Sequence, residues 1–160
     1  MGHGTRGHRT LLEVSVAAIL VVILIALIAP HVRCASDDAR AATLLADLQT
    51  IRARLLVYRI QHQDCFPGAD LVLQMTSATN TDGETNDAAS AEFRFGPYLR
   101  CIPENPFSGC DRVRVVNNPG MPFLPLQQDA GWWYNAATGE FRADLTDVHK
   151  LANGMILNSL

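Results

Sequence analysis

Residues 14–29 carry no charge, and Ser15 is the only polar side chain among them. Together with Leu11 and Leu12 this run makes about 28 Å of helix, close to the hydrocarbon thickness of a bilayer. Past Pro30 the pattern changes. Ala41, Leu44, Leu48, Ile51, Leu55 and Tyr58 recur at alternating steps of three and four, which predicts one buried face of an amphipathic helix over residues 36–62. Leu45, Leu56 and Ile60 are expected to widen that face. Asp38, Arg40, Asp47, Arg52, Arg54 and Arg59 take the remaining surface, acids first and arginines last, as the helix dipole favours. Ser36 can cap this half, or the helix can run through from Leu11 with a bend at Pro30. Unbroken, the element is about 50 residues, or about 75–80 Å, a length that suits a filament subunit better than a globular domain.

Gln61-His62-Gln63-Asp64-Cys65-Phe66-Pro67-Gly68 ends the helix with breakers. Residues 76–90, rich in Thr, Asn, Asp and Ala, read as a solvated loop. Within it Asp82-Gly83-Glu84-Thr85-Asn86-Asp87 has calcium-like ligand chemistry without the spacing of an EF-hand. Residues 112–116 alternate as a strand does. Gly131-Trp132-Trp133-Tyr134-Asn135 and Gly139-Glu140-Phe141-Arg142-Ala143 predict a hairpin whose turn needs a left-handed residue near Gly139. The expected fold class is α+β: a long N-terminal helical spine, apolar then amphipathic, packed on a small antiparallel sheet.

With 160 residues and 48% hydrophobic content, the chain has room for one modest domain beyond its apolar run. A formal net charge of -3 argues against a nucleic-acid partner, since no basic face is available to neutralise phosphates. Arg6, Arg9 and the initiator amine precede the apolar run, which places that end in the cytoplasm and the rest outside. A secretory signal would be shorter and would end at small residues, whereas Pro30-His31-Val32-Arg33 follows here. A lipoprotein signal would need a small residue where Arg33 precedes Cys34. A plain signal anchor leaves Glu13 unexplained. A carboxylate in an apolar helix costs about 2.5–3.5 kcal/mol near the centre of a bilayer and less towards its edge, so it asks for a cationic partner.

Arg9-Thr10-Leu11-Leu12-Glu13, followed by VSVAAILVVILIALIAP, resembles the type IV prepilin N-terminus. In that family a peptidase cuts after a glycine, and the carboxylate matched by Glu13 pairs with the new amine of a neighbouring subunit. Pro30 stands at the family's interval for the helix-kinking proline. Arg9 occupies the family's usual phenylalanine position, and His8 stands where the peptidase expects glycine; Gly7 is one residue earlier. Cleavage after Gly7, cleavage after His8 and no cleavage all remain open. Residues 57–67 are similar to the pseudopilin segment in which a tyrosine precedes a polar turn and an aromatic-proline pair. Gly96-Pro97-Tyr98-Leu99, with Pro103 and Pro106, is similar to the brace between helix and sheet in the major (G-type) pseudopilin of type II secretion systems.

The resemblance implies a leader over residues 1–8, a transmembrane and filament-core helix over 9–30, and a periplasmic pilin-like domain over 31–160. That domain divides into a helix over 31–64, a loop region over 65–110, a sheet over 111–144 and a tail over 145–160. It implies a structural subunit of the bacterial inner membrane that polymerises with other pseudopilins through its N-terminal helix and helps export folded proteins. Its partners would be prepilin peptidase, the inner-membrane secretion platform and membrane lipid. The alternatives are a minor or type IV pilus pilin, and an anchored binding module that never polymerises. Major pseudopilins commonly bind calcium, for which Asp144 and Asp147, with Asp129 and Glu140 nearby, are weak candidates.

Four cysteines lie in a segment expected to be exported. Cys101 and Cys110 bracket a loop with two prolines and a glycine, and a disulfide between them is expected, worth about 2–3 kcal/mol. Cys65 at the helix end offers an alternative pairing with either, and Cys34 is too far along a straight spine to reach Cys65. A zinc site would need a CxxC or a histidine cluster, and neither occurs. No nucleophile motif, phosphate-cradling glycine loop or HExxH occurs either, so a non-enzymatic role is expected.

Overall fold

The computed structural model describes residues 11–125 and 129–146, apart from the side chains of residues 11–14 and 24–36. The chain divides into two compact units, Met1–Asp37 and Asp38–Leu160. The fold is α+β. Helix α1 is Leu11–Gln61, and its backbone is helical through both Pro30 and Ser36, so the uncapped alternative is the one adopted. In the first unit, residues 15–23 of α1 are exposed on every side.

In the second unit, α1 supplies the face that the periodicity predicts. Ala41, Leu44, Leu48, Ile51, Leu55 and Tyr58 are all buried. Leu45, Leu56 and Ile60 do not widen it; they are exposed, Ile60 to 78%. The helix closes where Asp64 and Gln63 turn into positive φ, and the Asp64 amide donates back to the Arg59 carbonyl.

The region expected to be loop over residues 65–110 contains structure. Helix α2 (Leu71–Thr76) buries Leu71 and Met75, and β1 (Ala78–Thr79) pairs antiparallel with β2 (Thr85–Asn86). Ala78, Thr79 and Asn80 are buried, so the start of the expected solvated loop belongs to the core edge. The reason is His62, buried and stacked 3.7 Å from Tyr58. Its Nδ1–H donates to the Tyr58 carbonyl at 2.8 Å, and its Nε2 accepts from the Thr79 hydroxyl at 3.1 Å. A buried polar ring at the helix end thus holds the following segment in place.

The main sheet has the order β3-β4-β5, comprising Val113–Val116, Trp132–Asn135 and Glu140–Ala143. β4 and β5 form the expected antiparallel hairpin, with Asn135 opposite Glu140 and Gly139 at φ +73. β3, however, pairs parallel to β4, so the sheet is mixed rather than antiparallel. A parallel neighbour requires a long crossover, and residues 117–131 provide it. Trp132, Tyr134, Phe141 and Ala143 face the buried stripe of α1 in one core, with Val113 and Val115 packed against it. On the opposite face the crossover lays Phe123 edge-on to Trp133 at 5.3 Å. Asn135 Nδ2 donates to the Asn118 carbonyl at 2.8 Å, tying the same strap to the centre of the sheet.

Candidate assembly surface

A helix that is apolar all round is stable only where something other than water surrounds it. Residues 16–23 of α1 are all apolar and all exposed, with Ile19 at 59% and Val22 at 65%. Ala18, Ile19, Val22 and Ile23 line a shallow depression of about 240 Å³ on this stretch. Residues 15–23 span about 14 Å, half of a hydrocarbon core. Among the described residues no helix is long and apolar enough to cross a membrane. Glu13 and Pro30 lie within α1, but their side chains are outside the description, as is that of Cys34. Gly7, His8 and Arg9 of the expected leader junction, and Asp147 of the expected calcium site, also lie outside the described residues.

Asp144 sits just past β5 with its side chain 1% exposed. Arg114 of β3 reaches its Oδ2 with Nε at 3.0 Å and Nη2 at 2.9 Å, and Nη2 also donates to the Leu124 carbonyl at 2.7 Å. A candidate calcium ligand is therefore a buried ion-pair partner of the arginine that ties the middle of the crossover to the sheet. Sequence reasoning missed Arg114 as that partner, although strand alternation sets it on the face opposite Val113 and Val115. Glu140 pairs with Arg142, and Asp129 lies 3.8 Å from Arg112. Asn80 organises the acidic loop, its Oδ1 accepting from the amides of Asp82 and Glu84 and its Nδ2 donating to Glu84. Among the described residues no three His, Cys, Asp or Glu side chains converge as a metal site would require.

The expected Cys101–Cys110 bridge is not formed; Cys65, Cys101 and Cys110 are free thiols. Hydrogen bonds close the loop instead. The Asn105 amide donates to the Cys110 carbonyl at 3.0 Å, and Gly109 donates to the Asn105 carbonyl at 2.7 Å. Asn105 Nδ2 donates to the Gly131 carbonyl at 2.7 Å, fixing the loop to the start of β4. The Cys110 thiol turns towards the Asp129 carbonyl at 3.7 Å, and its hydrogen bond with Arg112 draws its pKa down. Cys101, Ile102, Arg100, Arg112 and Val72 border an open groove of about 370 Å³, whose guanidinium groups are solvated.

Arg52, half-buried on α1, donates through Nε and Nη2 to the Phe141 carbonyl at 3.0 and 2.8 Å, so the arginine flank of the helix is partly spent on the sheet. Burial, then the neighbouring Arg142 charge, lowers its pKa. These contacts tie the second half of α1 to the sheet, while Val16, Ile19 to Ile23, Leu45, Leu56, Val57 and Ile60 of the helix remain exposed. No family model, no curated protein and no solved structure matches the chain.

Proposed function

We propose that this chain is a membrane-anchored, filament-forming subunit of the type IV prepilin kind, closest to the major pseudopilin of a type II secretion system. The observation that carries the reading is the exposed, wholly apolar stretch at residues 16–23, which follows Glu13 in the same helix. Lipid surrounds such a stretch in the membrane, and the helices of other subunits replace the lipid when a filament forms. An acid at that depth needs compensation, and a neighbour's N-terminal amine supplies it. The cationic flank at Arg6 and Arg9 orients the N-terminus to the cytoplasm and the sheet domain to the periplasm. Prepilin peptidase would release a mature chain starting at His8 or Arg9, which creates that amine. Because β4 and β5 are buried against α1, the sheet domain travels with the helix as cargo of the filament.

The test is Glu13→Leu in membranes containing the full chain. Insertion is retained or improved, and the chemically crosslinked oligomer ladder disappears. An unchanged ladder would overturn the amine–carboxylate account. A second reading is favoured by His8 and Arg9, which depart from the prepilin junction: an anchor that keeps its leader and does not polymerise. Intact Met1 on a monomeric membrane protein would establish that reading.

A further inference from the structure

The three-stranded sheet has an open edge at β3. Successive residues of a strand turn their backbone groups to opposite sides, so part of β3 bonds β4 and part faces away. The Trp132 amide donates to the Arg112 carbonyl at 3.2 Å and the Ala136 amide to the Val116 carbonyl at 2.8 Å, in the register that sets Val113 beside Trp132. Arg114 and Val116 therefore spend their amides and carbonyls towards β4, and the amides and carbonyls of Val113 and Val115 point outward. No hydrogen bond from another described segment reaches these outward groups, and both valines are half-buried. The β5 edge differs, since its Phe141 carbonyl already takes two bonds from Arg52. β3 has no proline, bulge or lysine to guard its free edge, and its one charge, Arg114, is held by Asp144.

Asp111 and Arg112, which lead into β3, line the groove of about 370 Å³ beside α2. Val72 and Ile102 give that groove an apolar wall, and Arg100 and Arg112 set two guanidinium groups against the single carboxylate of Asp111. Among the described residues Arg100 has no ion pair, and Arg112 holds Asp129 only loosely, at 3.8 Å. We propose that the outer edge of β3 and this groove together bind an extended acidic peptide, a segment of another protein that adds as a fourth strand and sets a carboxylate beside Arg100 and Arg112. Pairing with Val113 and Val115 is open to any extended chain, so the groove supplies the selection. Two cations to one anion favour an acidic occupant over a neutral or basic one. A second copy of this chain fits less well: paired antiparallel on the same backbone groups, it would set Arg114 directly opposite Arg114. The inference makes no use of the apolar half of α1 and stands whether or not the chain forms filaments.

The test is the binding of a fluorescein-labelled peptide to the full chain in detergent, with empty micelles as the blank. The peptide has about eight residues, a strand's length, alternating valine and threonine and ending in a pair of aspartates. It should bind, and the amides of Val113 and Val115 should become protected from hydrogen exchange, whereas β4 protects those of Arg114 and Val116 throughout. The same peptide ending in a pair of lysines should bind about tenfold more weakly, and Arg100→Glu, an exposed change outside the strand, should weaken the aspartate peptide about fivefold. Val115→Pro removes one outward amide and leaves the β4 ladder whole, and should weaken binding about tenfold. No binding, equal binding of the two peptides, or protection of Val113 and Val115 before peptide is added would each overturn the proposal. Dimerisation of the chain that Val115→Pro abolishes would also overturn it, by giving the edge to a second copy. If Val115→Pro fails to fold, Arg100→Glu and the exchange pattern decide the matter on their own.

Discussion

Truncating Arg114 takes the guanidinium partner from a buried carboxylate, and the structure sets the size of the loss. Asp144 is 1% exposed and takes both guanidinium contacts on Oδ2, while Arg114 is 23% exposed. Breaking a fully buried pair from one side costs about 3–5 kcal/mol, mostly for the charge left behind. Water already reaches Arg114, which places Arg114→Ala at the lower end, about 3 kcal/mol, including the lost bond to the Leu124 carbonyl. With a urea slope of about 2 kcal/mol/M, the unfolding midpoint drops by about 1.5 M. The assay is urea unfolding of the full chain in detergent, followed by the fluorescence of Trp132 and Trp133, both of which sit in the strand next to Arg114. Asp144→Asn removes the charge but keeps the shape, and should cost about 1–2 kcal/mol. Arg114→Met combined with Asp144→Leu should then be more stable than Arg114→Ala alone, since the buried charge goes together with its guanidinium partner. A double variant destabilised by the full sum of its single substitutions would refute the reasoning, because the loss would then be packing and not the ion pair.

The three tyrosines set the alkaline limit of the fold. Burial foremost, then Tyr98 and Cys65, pushes the Tyr58 phenol up to about 12, and burial likewise raises Tyr98 and Tyr134. The unfolded chain loses these protons near pH 10, so their contribution is complete below about pH 10 and is lost as pH rises through the raised values, for Tyr58 through about 12. Tyrosinate absorbance should stay flat to pH 10 and then rise together with loss of structure; a tyrosine that titrates in the intact fold would contradict the burial account. Gly139→Ala should cost about 2–3 kcal/mol by thermal unfolding, because its Cβ meets the Phe66 ring and its φ is +73, whereas Gly109→Ala, with φ +66 and open space, should cost about 1 kcal/mol. Equal losses would show that Phe66 moves aside freely. Mass spectrometry without reductant should find Cys101 and Cys110 as free thiols, and Arg112→Gln should slow alkylation of Cys110 by removing the hydrogen bond that lowers its pKa.

Most of the fold was legible where one periodicity met one partner. The stripe from Ala41 to Tyr58 and the hairpin around Gly139 follow from spacing and turn chemistry alone, and both are present. The loop region misled because its structure depends on remote contacts. Nothing local in residues 77–80 announces burial; His62 and Phe95 impose it from outside, His62 by bonding Thr79 and Phe95 by exchanging two backbone hydrogen bonds with Thr79. The same holds for the sheet. Alternation in residues 112–116 predicts a strand but is blind to direction, and direction was decided by a crossover long enough to return the chain to the same end. The Cys101–Cys110 expectation failed for a related reason: a short loop rich in proline and glycine can be closed by a disulfide or by an asparagine, and Asn105 does it.

The exposed apolar residues of α1 were the hardest to place, and their position bears most on function. Periodicity reports the angle of a residue around a helix, but it cannot say how many partners the helix has. Leu45, Leu56 and Ile60 fit a broad stripe on one side as well as a second stripe on the other, and only the position of the sheet separates the two. Once Leu44, Leu48, Ile51 and Leu55 are covered by Trp132, Tyr134 and Phe141, no sheet remains for Leu56 and Ile60. Residues 16–23 pose the same question more sharply, being apolar on every face with none of them covered. A helix with more apolar faces than its own fold buries leaves residues 16–23, Leu56 and Ile60 to be covered by something outside that fold.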